Sequence, residues 1–97
     1  MKHRIDCAED LGLVIRAVRK STDVRQDDLA GTAGVSRQFA VDVEKGKPTV
    51  QLGRVLRLLQ ELGIILSAEI PDDASAELSK LRSRRRVSAV PDRDGDE

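Results

Sequence analysis

The chain has 97 residues, enough for one small domain with a single modest core. Its 17 basic and 17 acidic residues sum to zero net charge, and Phe39 is its only aromatic residue. No apolar run reaches about 18 residues and no signal-peptide pattern is present, so we expect neither a membrane association nor secretion. One cysteine excludes an internal disulfide framework, which predicts a cytoplasmic protein. The net charge of zero also argues against nucleic-acid binding, because proteins that bind nucleic acids usually carry an excess of basic residues.

The first predicted helix covers residues 8–20, after an N-terminal segment of residues 1–7. Its apolar residues recur with the spacing of one helix face. They are Leu11, Val14, Ile15 and Val18. Asp6 is the expected N-cap, and basic residues near the end suit the helix dipole.

Two short helices follow, over residues 26–33 and 37–45. Gly34 is placed to adopt the left-handed conformation after the first, and Ser36 is a strong N-cap for the second. Because only one residue separates Gly34 from Ser36, the helices must cross at a steep angle. The sequence therefore predicts a helix-turn-helix, with small or apolar residues at the crossing. These are Ala30, Val35, Ala40 and Val43.

Side chains on the outer face and at the start of the second of these helices predict contact with DNA. The N-terminal part of such a helix enters the major groove. Arg37 suits the O6 and N7 acceptors of guanine, Gln38 the N6/N7 edge of adenine, and Val41 a thymine methyl group. Asp42 either accepts a hydrogen bond from cytosine N4 or orients Arg37 or Arg25. Taken singly, each is better explained as an ordinary solvated residue, and it is their combination with the turn geometry that predicts DNA contact.

Phosphate contacts are predicted on both sides of this helix. Gln26 begins the scaffold helix, where an exposed amide and a backbone N–H meet phosphate. Lys45 and Lys47 flank a turn at Gly46 and are placed to meet the DNA backbone on the other side.

A fourth helix is predicted from its cap at Thr49 to its end at Gly63. Its apolar stripe consists of Leu52, Val55, Leu56 and Leu59, widened by Leu58 and Leu62. After Gly63 the apolar residues alternate as in a β-strand, which predicts one short strand. This strand lies within a predicted dimerisation segment, residues 64–71, which ends at Pro71. A lone strand leaves its backbone groups unpaired.

The expected partner of this strand is the same segment of a second copy, which predicts a homodimer on a two-fold axis. The alternative is a coil packed on the chain's own helices. The predicted dimer interface is Ile64, Ile65, Leu66, Ser67, Ala68, Glu69 and Ile70.

Residues 72–97 are predicted to form a flexible C-terminal tail, largely disordered or partly helical. A helix over residues 74–86, capped by Ser75, is the helical part. The Arg82–Arg86 cluster is either an arm that follows DNA, a partner-docking segment or a solubilising tail, and residues 92–97 form an acidic end.

The stretch from Leu11 to Gly63 resembles the Cro/lambda-repressor (Xre-type) helix-turn-helix domain. The matching stretches are Ile15-Arg16-Ala17-Val18-Arg19-Lys20, Gln26-Asp27-Asp28-Leu29-Ala30, Gly34-Val35-Ser36-Arg37 and Val43-Glu44-Lys45-Gly46. The resemblance implies a mainly α fold with a compact domain of four to five helices, here residues 8–63. It also implies a partly buried ion pair between Arg19 and Glu44, and the phosphate role of Gln26.

Two positions depart from the family pattern. Arg25 stands where the scaffold helix usually has a capping Thr or Ser, which costs about 1 kcal/mol but adds a candidate phosphate contact. Phe39 replaces a usually small polar residue and either packs on the sugar-phosphate wall or covers the domain. The full set of predicted DNA-binding residues is Arg25, Gln26, Ser36, Arg37, Gln38, Phe39, Val41, Asp42, Lys45 and Lys47.

Within this family the chain is most similar to the HipB-type antitoxins. The similarity rests on Leu11-Gly12, Phe39, the stretch 42–46, Leu62-Gly63 and the strand that follows. It implies a dimeric repressor that binds palindromic operators in its own promoter and restrains a HipA-type kinase toxin.

The alternatives are a stand-alone phage or restriction-control regulator and an interaction module without DNA function. We expect no enzymatic activity and no cofactor, because no pair of carboxylates lies beside a nucleophile. Metal binding is not expected either, since His3 and Cys7 are the only residues of their types.

Overall fold

The structure, a computed structural model, describes residues 1–87. Within this range the chain forms five helices and no strand. The helices are α1 (Ala8–Ser21), α2 (Gln26–Ala33), α3 (Arg37–Glu44), α4 (Leu52–Glu61) and α5 (Asp72–Val87). The mainly α architecture is therefore as predicted. Residues 1–66 form one compact unit, and a second unit begins at Ser67.

The turn between α2 and α3 has the geometry that the sequence predicts. Gly34 adopts φ 71°, a left-handed conformation that is free of steric cost only for glycine. The Val35 N–H donates to the Ala30 carbonyl at 3.0 Å, and the Phe39 N–H donates to the Ser36 hydroxyl at 3.0 Å. These bonds close α2 and start α3 within three residues, which forces the two helices to cross.

Two predicted helix caps are wrong. Cys7, not Asp6, is the N-cap of α1, and the Asp6 N–H instead donates to the Asp10 carboxylate at 3.0 Å. α4 begins after Gln51 rather than after Thr49, because residues 48–50 form turns and a bend. Neither Cys7 nor Gln51 makes a side-chain capping bond, so both helices start without one.

The hydrophobic core of residues 1–66 lies where α2 packs against α3 and α4, and where α1 packs against α3. The buried residues of the core cluster are Ile15, Leu29, Ala33, Val43, Val55, Leu58 and Leu59. The stripe predicted for α4 is only half buried, because Leu52 is 65% exposed and Leu56 is 43% exposed.

α1 lies unusually close to the end of α3, and Gly12 permits this approach. A Cβ on Gly12 would lie 2.6 Å from the carbonyl oxygens of both Val43 and Glu44. Gly46 in turn lies against the first turn of α1. It has φ 84°, and a Cβ built on it would lie 2.7 Å from Glu9 Cα. Residues larger than glycine would push α1 away from α3 at either position.

Residues 64–70 belong to no helix or strand. Within the described range, the backbone groups of residues 65–70 form no hydrogen bond, so one copy of the chain supplies no partner for a strand here. The expected strand is therefore absent from the single chain, and its pairing between subunits stays a prediction. α5 begins at Asp72, two residues before the helix predicted over 74–86. The acidic end at residues 92–97 lies outside the described residues.

Candidate DNA-binding surface

An ion pair beneath α3 fixes the helix to α1. The Arg19 guanidinium donates from Nε to Glu44 Oε2 at 2.7 Å and from Nη2 to Oε1 at 2.9 Å. Only 13% of the Arg19 side chain and 5% of the Glu44 side chain are exposed. The ion pair implied by the family resemblance is thus present, as a bidentate contact between mostly buried groups.

The same cluster also ties in the start of α2. Arg19 donates a third hydrogen bond to the Val24 carbonyl at 3.1 Å, and the Gln26 amide donates to Glu44 Oε1 at 3.1 Å. The hydrogen bond to Glu44 raises the pKa of Arg19 above its ordinary value, although burial acts in the opposite direction. Arg19 therefore stays charged, and one carboxylate joins α1, α2 and α3.

The predicted recognition residues at the start of α3 are open to solvent. Ser36 is the N-cap, and Arg37 and Gln38 are the first two helical residues; all three are exposed. Arg37 makes no ion pair or side-chain hydrogen bond with any residue of the described range. Its guanidinium is therefore available to a partner with acceptor groups.

A second polar network runs along the exposed face of α3. The Gln38 amide donates to Asp42 Oδ1 at 2.9 Å, and the Lys47 ammonium lies 3.7 Å from Asp42 Oδ2. The Asp42 carboxylate is thus paired with two side chains of the predicted surface, and not with Arg37 or Arg25. Its negative charge is partly compensated by Lys47.

The remaining predicted residues fall into two groups. Phe39 is half-buried and packs against the core, and Val41 is half-buried on α3, so contact of either with DNA stays a prediction. Arg25, Lys45 and Lys47 are exposed. Arg25 is the N-cap residue of α2 but makes no side-chain capping bond, and its Nε lies 3.3 Å from Asp27 Oδ1. The hydrogen bond from Gln26 to Glu44 brings the start of α2 to the end of α3, so Arg25 and Lys45 flank this junction.

Sequence reasoning missed the glycine contacts that support this surface. Gly12 and Gly46 set the distance between α1 and α3, yet the sequence indicated only a turn at Gly46 and a family resemblance at both glycines. An unexplained glycine in the middle of a predicted amphipathic helix was the available signal, because glycine there costs about 1 kcal/mol relative to alanine.

The described residues can also be compared with the requirements of a metal site and of a membrane-spanning helix. Residues 1–87 hold no group of three or more His, Cys, Asp or Glu side chains able to share a metal ion. No helix among them is both long enough and apolar enough to cross a membrane.

A curated relative identifies the family. The chain is 48% identical over 73 residues to the "Uncharacterized HTH-type transcriptional regulator y4mF" of Sinorhizobium fredii (strain NBRC 101917 / NGR234). The aligned region covers 75% of this chain and 96% of that protein. The chain belongs to the HTH-type transcriptional regulators. No protein-family model matches this regulator.

Several solved structures share the fold of this regulator. The regulator aligns with the "HipA-HipB-O2-O3 complex" at a TM-score of 0.67 and 18% identity, over 73% of this chain and all of that chain. It aligns with the restriction-modification controller protein C.AhdI from Aeromonas hydrophila at a TM-score of 0.54 and 29% identity, over 60% of this chain and 84% of that one. The resemblance to Xre-type helix-turn-helix domains is confirmed.

Proposed function

We propose that this regulator binds a specific palindromic DNA operator as a homodimer and represses transcription from it. The observation that carries the proposal is the position of Arg37. It is exposed and without an intramolecular partner in the described range, at the N-terminus of a helix held by a buried ion pair. Such a helix end presents a planar donor group to the major groove, where arginine pairs with guanine O6 and N7.

The charges around α3 support a DNA surface in spite of the zero net charge. Arg25, Arg37, Lys45 and Lys47 are exposed near the ends of α2 and α3, and the acidic Asp42 among them is paired with Lys47. A few cations of this kind give modest non-specific affinity, so base contacts and dimer geometry carry most of the specificity.

The homodimer would form through residues 64–70. Ile65 is 90% exposed, Leu66 54% and Ile70 38%, and the backbone groups of residues 65–70 lack hydrogen-bond partners within the described range. Pairing this segment with its copy satisfies the backbone groups and covers the isoleucines at the same time. The two α3 helices would then enter successive major grooves, about 34–36 Å apart.

The test is binding to an operator selected from random DNA. We expect Arg37→Ala to weaken binding to that operator by about 1–3 kcal/mol and to relax base preference at one position of each half-site. The matched control is Arg16→Ala, which removes an exposed arginine from α1 with the same change of charge. If Arg37→Ala and Arg16→Ala behave alike, Arg37 does not read bases.

We further propose that the regulator is an antitoxin that represses its own operon and restrains a HipA-type kinase toxin. The shared fold with HipB in its HipA and operator complexes supports this role. A stand-alone controller is the second candidate, favoured by the higher identity to C.AhdI.

The two candidates predict different neighbours and different complexes. An antitoxin is encoded next to a kinase-like protein, copurifies with it and relieves its toxicity on co-expression. A stand-alone controller has no such neighbour and binds its operator alone. Absence of a kinase-like protein from the same operon would contradict the antitoxin role but leave operator binding intact.

A further inference from the structure

α5 carries opposite charges on its two halves. Residues 72–85 are all exposed. The acidic residues of the helix all lie in its first half; they are Asp72, Asp73 and Glu77. The basic residues all lie in its second half; they are Lys80, Arg82, Arg84, Arg85 and Arg86. A second helix that runs antiparallel to α5 would be complementary to it in charge if it also carried acidic residues in its first half and basic residues in its second half.

Two leucines lie at the boundary between these halves. Leu78 is 38% exposed and Leu81 is 50% exposed. Together with Ala74 they follow the i, i+4, i+7 spacing that places side chains on one helix face. A single helix of 16 residues is marginal in water, so α5 gains stability from a partner that covers this face.

We propose that α5 pairs antiparallel with α5 of a second copy of the chain. A two-fold axis between residues 79 and 80, the midpoint of the helix, sets Leu78 of each copy against Leu81 of the other. The acidic half of each copy then lies along the basic half of the other copy. A parallel pair would instead place like charges side by side.

This inference rests on the proposed homodimer, which supplies two copies, and it adds a second contact to that dimer. Pairing residues 64–70 raises the effective concentration of one α5 for the other, so a short helix pair suffices. The other candidate occupant of the basic half is DNA. The acidic half disfavours DNA as the partner of the whole helix, because phosphates repel carboxylates.

Three native serines in α5 allow a direct test in the full-length chain. Ser75, Ser79 and Ser83 are spaced by one helical turn and are all exposed. In a Cys7→Ser background, Ser75→Cys, Ser79→Cys and Ser83→Cys each carry one nitroxide label per chain. The distance between the two labels of a dimer is then measured by pulsed electron resonance.

The antiparallel register predicts an asymmetric set of distances. At a rise of 1.5 Å per residue, the two copies of position 79 are offset along the axis by about 2 Å, those of position 75 by about 14 Å and those of position 83 by about 11 Å. We therefore expect the shortest distance at Ser79→Cys and longer ones at both other positions. Three equal distances would indicate parallel helices and overturn the inference.

Charge exchange tests the same contact independently. The double variant Asp73→Lys with Glu77→Lys leaves Asp72 as the one acidic residue of α5, and Arg82→Glu with Arg85→Glu gives the helix five acidic residues against three basic ones. Each variant alone should dissociate at a protein concentration at least several-fold higher than the unaltered chain. An equimolar mixture should form heterodimers at the original concentration, which a contact within one chain would not achieve.

The outcomes separate this inference from the proposed dimer. A chain that sediments as a dimer but gives no label pair at position 79 within measurable range lacks the α5 contact while keeping the dimer. Charge variants that alter only DNA affinity, with unchanged dissociation of the dimer, would assign the basic half to DNA and overturn the pairing. A chain that stays monomeric at all concentrations contradicts both proposals.

Discussion

Glu44 accepts hydrogen bonds from Arg19 in α1 and from Gln26 in α2, while its own backbone ends α3. With 5% of its side chain exposed, its charge is stabilised by these donors rather than by water. The Glu44 carboxylate is therefore one of the contacts that orient α3 relative to the other two helices, beside the α2–α3 turn and the close approach at Gly12.

Removal of this carboxylate should be strongly destabilising. We expect Glu44→Ala to lower the free energy of unfolding by on the order of 3 kcal/mol, because it leaves the Arg19 guanidinium mostly buried without a counter-charge. The double variant Arg19→Met with Glu44→Leu should recover much of this loss, since it removes both charges. Chemical denaturation of the three proteins measures the difference. A Glu44→Ala variant as stable as the unaltered chain would show that water replaces the pair at no cost.

Asp42 offers a test of the second network at the same scale. Asp42→Asn removes a negative charge from the predicted DNA surface and releases Lys47. We expect affinity for unrelated DNA to increase and the salt dependence of binding to steepen by about one ion equivalent. A fall in affinity confined to the selected operator would instead assign Asp42 to base readout at cytosine.

Among the elements, the contact between α1 and α3 has the least room for change. The place of a Cβ on Gly12 lies 2.6 Å from two carbonyl oxygens, and these belong to backbone that ends α3. Gly31, in the middle of α2, has no atom within 4 Å of the same place. The two glycines therefore differ in their surroundings and hardly at all in their intrinsic cost to a helix.

This difference predicts opposite effects of the same substitution. Gly31→Ala should stabilise the domain by about 0.5–1 kcal/mol through helix propensity alone. Gly12→Ala should destabilise it by about 1–3 kcal/mol, because the added methyl group would force α1 away from the end of α3. The strain of this displacement exceeds the gain in helix propensity. Thermal unfolding of both variants checks the prediction, and equal stabilisation by both would contradict the close approach of α1 to α3.

The helices were predictable from the sequence wherever local chemistry determined them. Gly34 and Ser36 fixed the α2–α3 turn, because a left-handed residue and a capping hydroxyl leave little freedom. The caps of α1 and α4 were wrong, because neither helix has a side-chain cap to detect. The exposure of Leu52 and Leu56 was also missed, since periodicity identifies an apolar face without showing whether the chain itself covers it.

At the scale of the whole molecule, the proposed dimer would determine how tightly the proposed operator is held. Ile65 is 90% exposed in the single chain, so its replacement has little to disturb in the folded monomer. The spacing along α3 singled out candidate DNA-binding residues one by one, and their contact with DNA stays a prediction. The dimer stays a prediction that rests on unpaired backbone, because no sequence pattern within one chain records its partner.

We therefore expect Ile65→Glu to convert the dimer to a monomer and to weaken operator binding by about 100-fold or more, since two linked half-site contacts become separate events. Sedimentation and binding to the selected operator measure the two effects. Leu13→Glu is the matched control, because Leu13 is also exposed, at 63%, and lies on α1 outside the proposed interface. Loss of dimer in both variants would point to general unfolding.

The polar cluster of Arg19, Gln26 and Glu44 has a consequence for how such regulators diverge. It holds α3 from its inner side, and Arg37 and Gln38 on the outer side take no part in it. Exchange of these two outward residues leaves every bond of the cluster in place. A duplicated copy of this gene is thus free to acquire a new target sequence without first becoming unstable, and a library randomised at positions 37 and 38 should remain almost entirely folded.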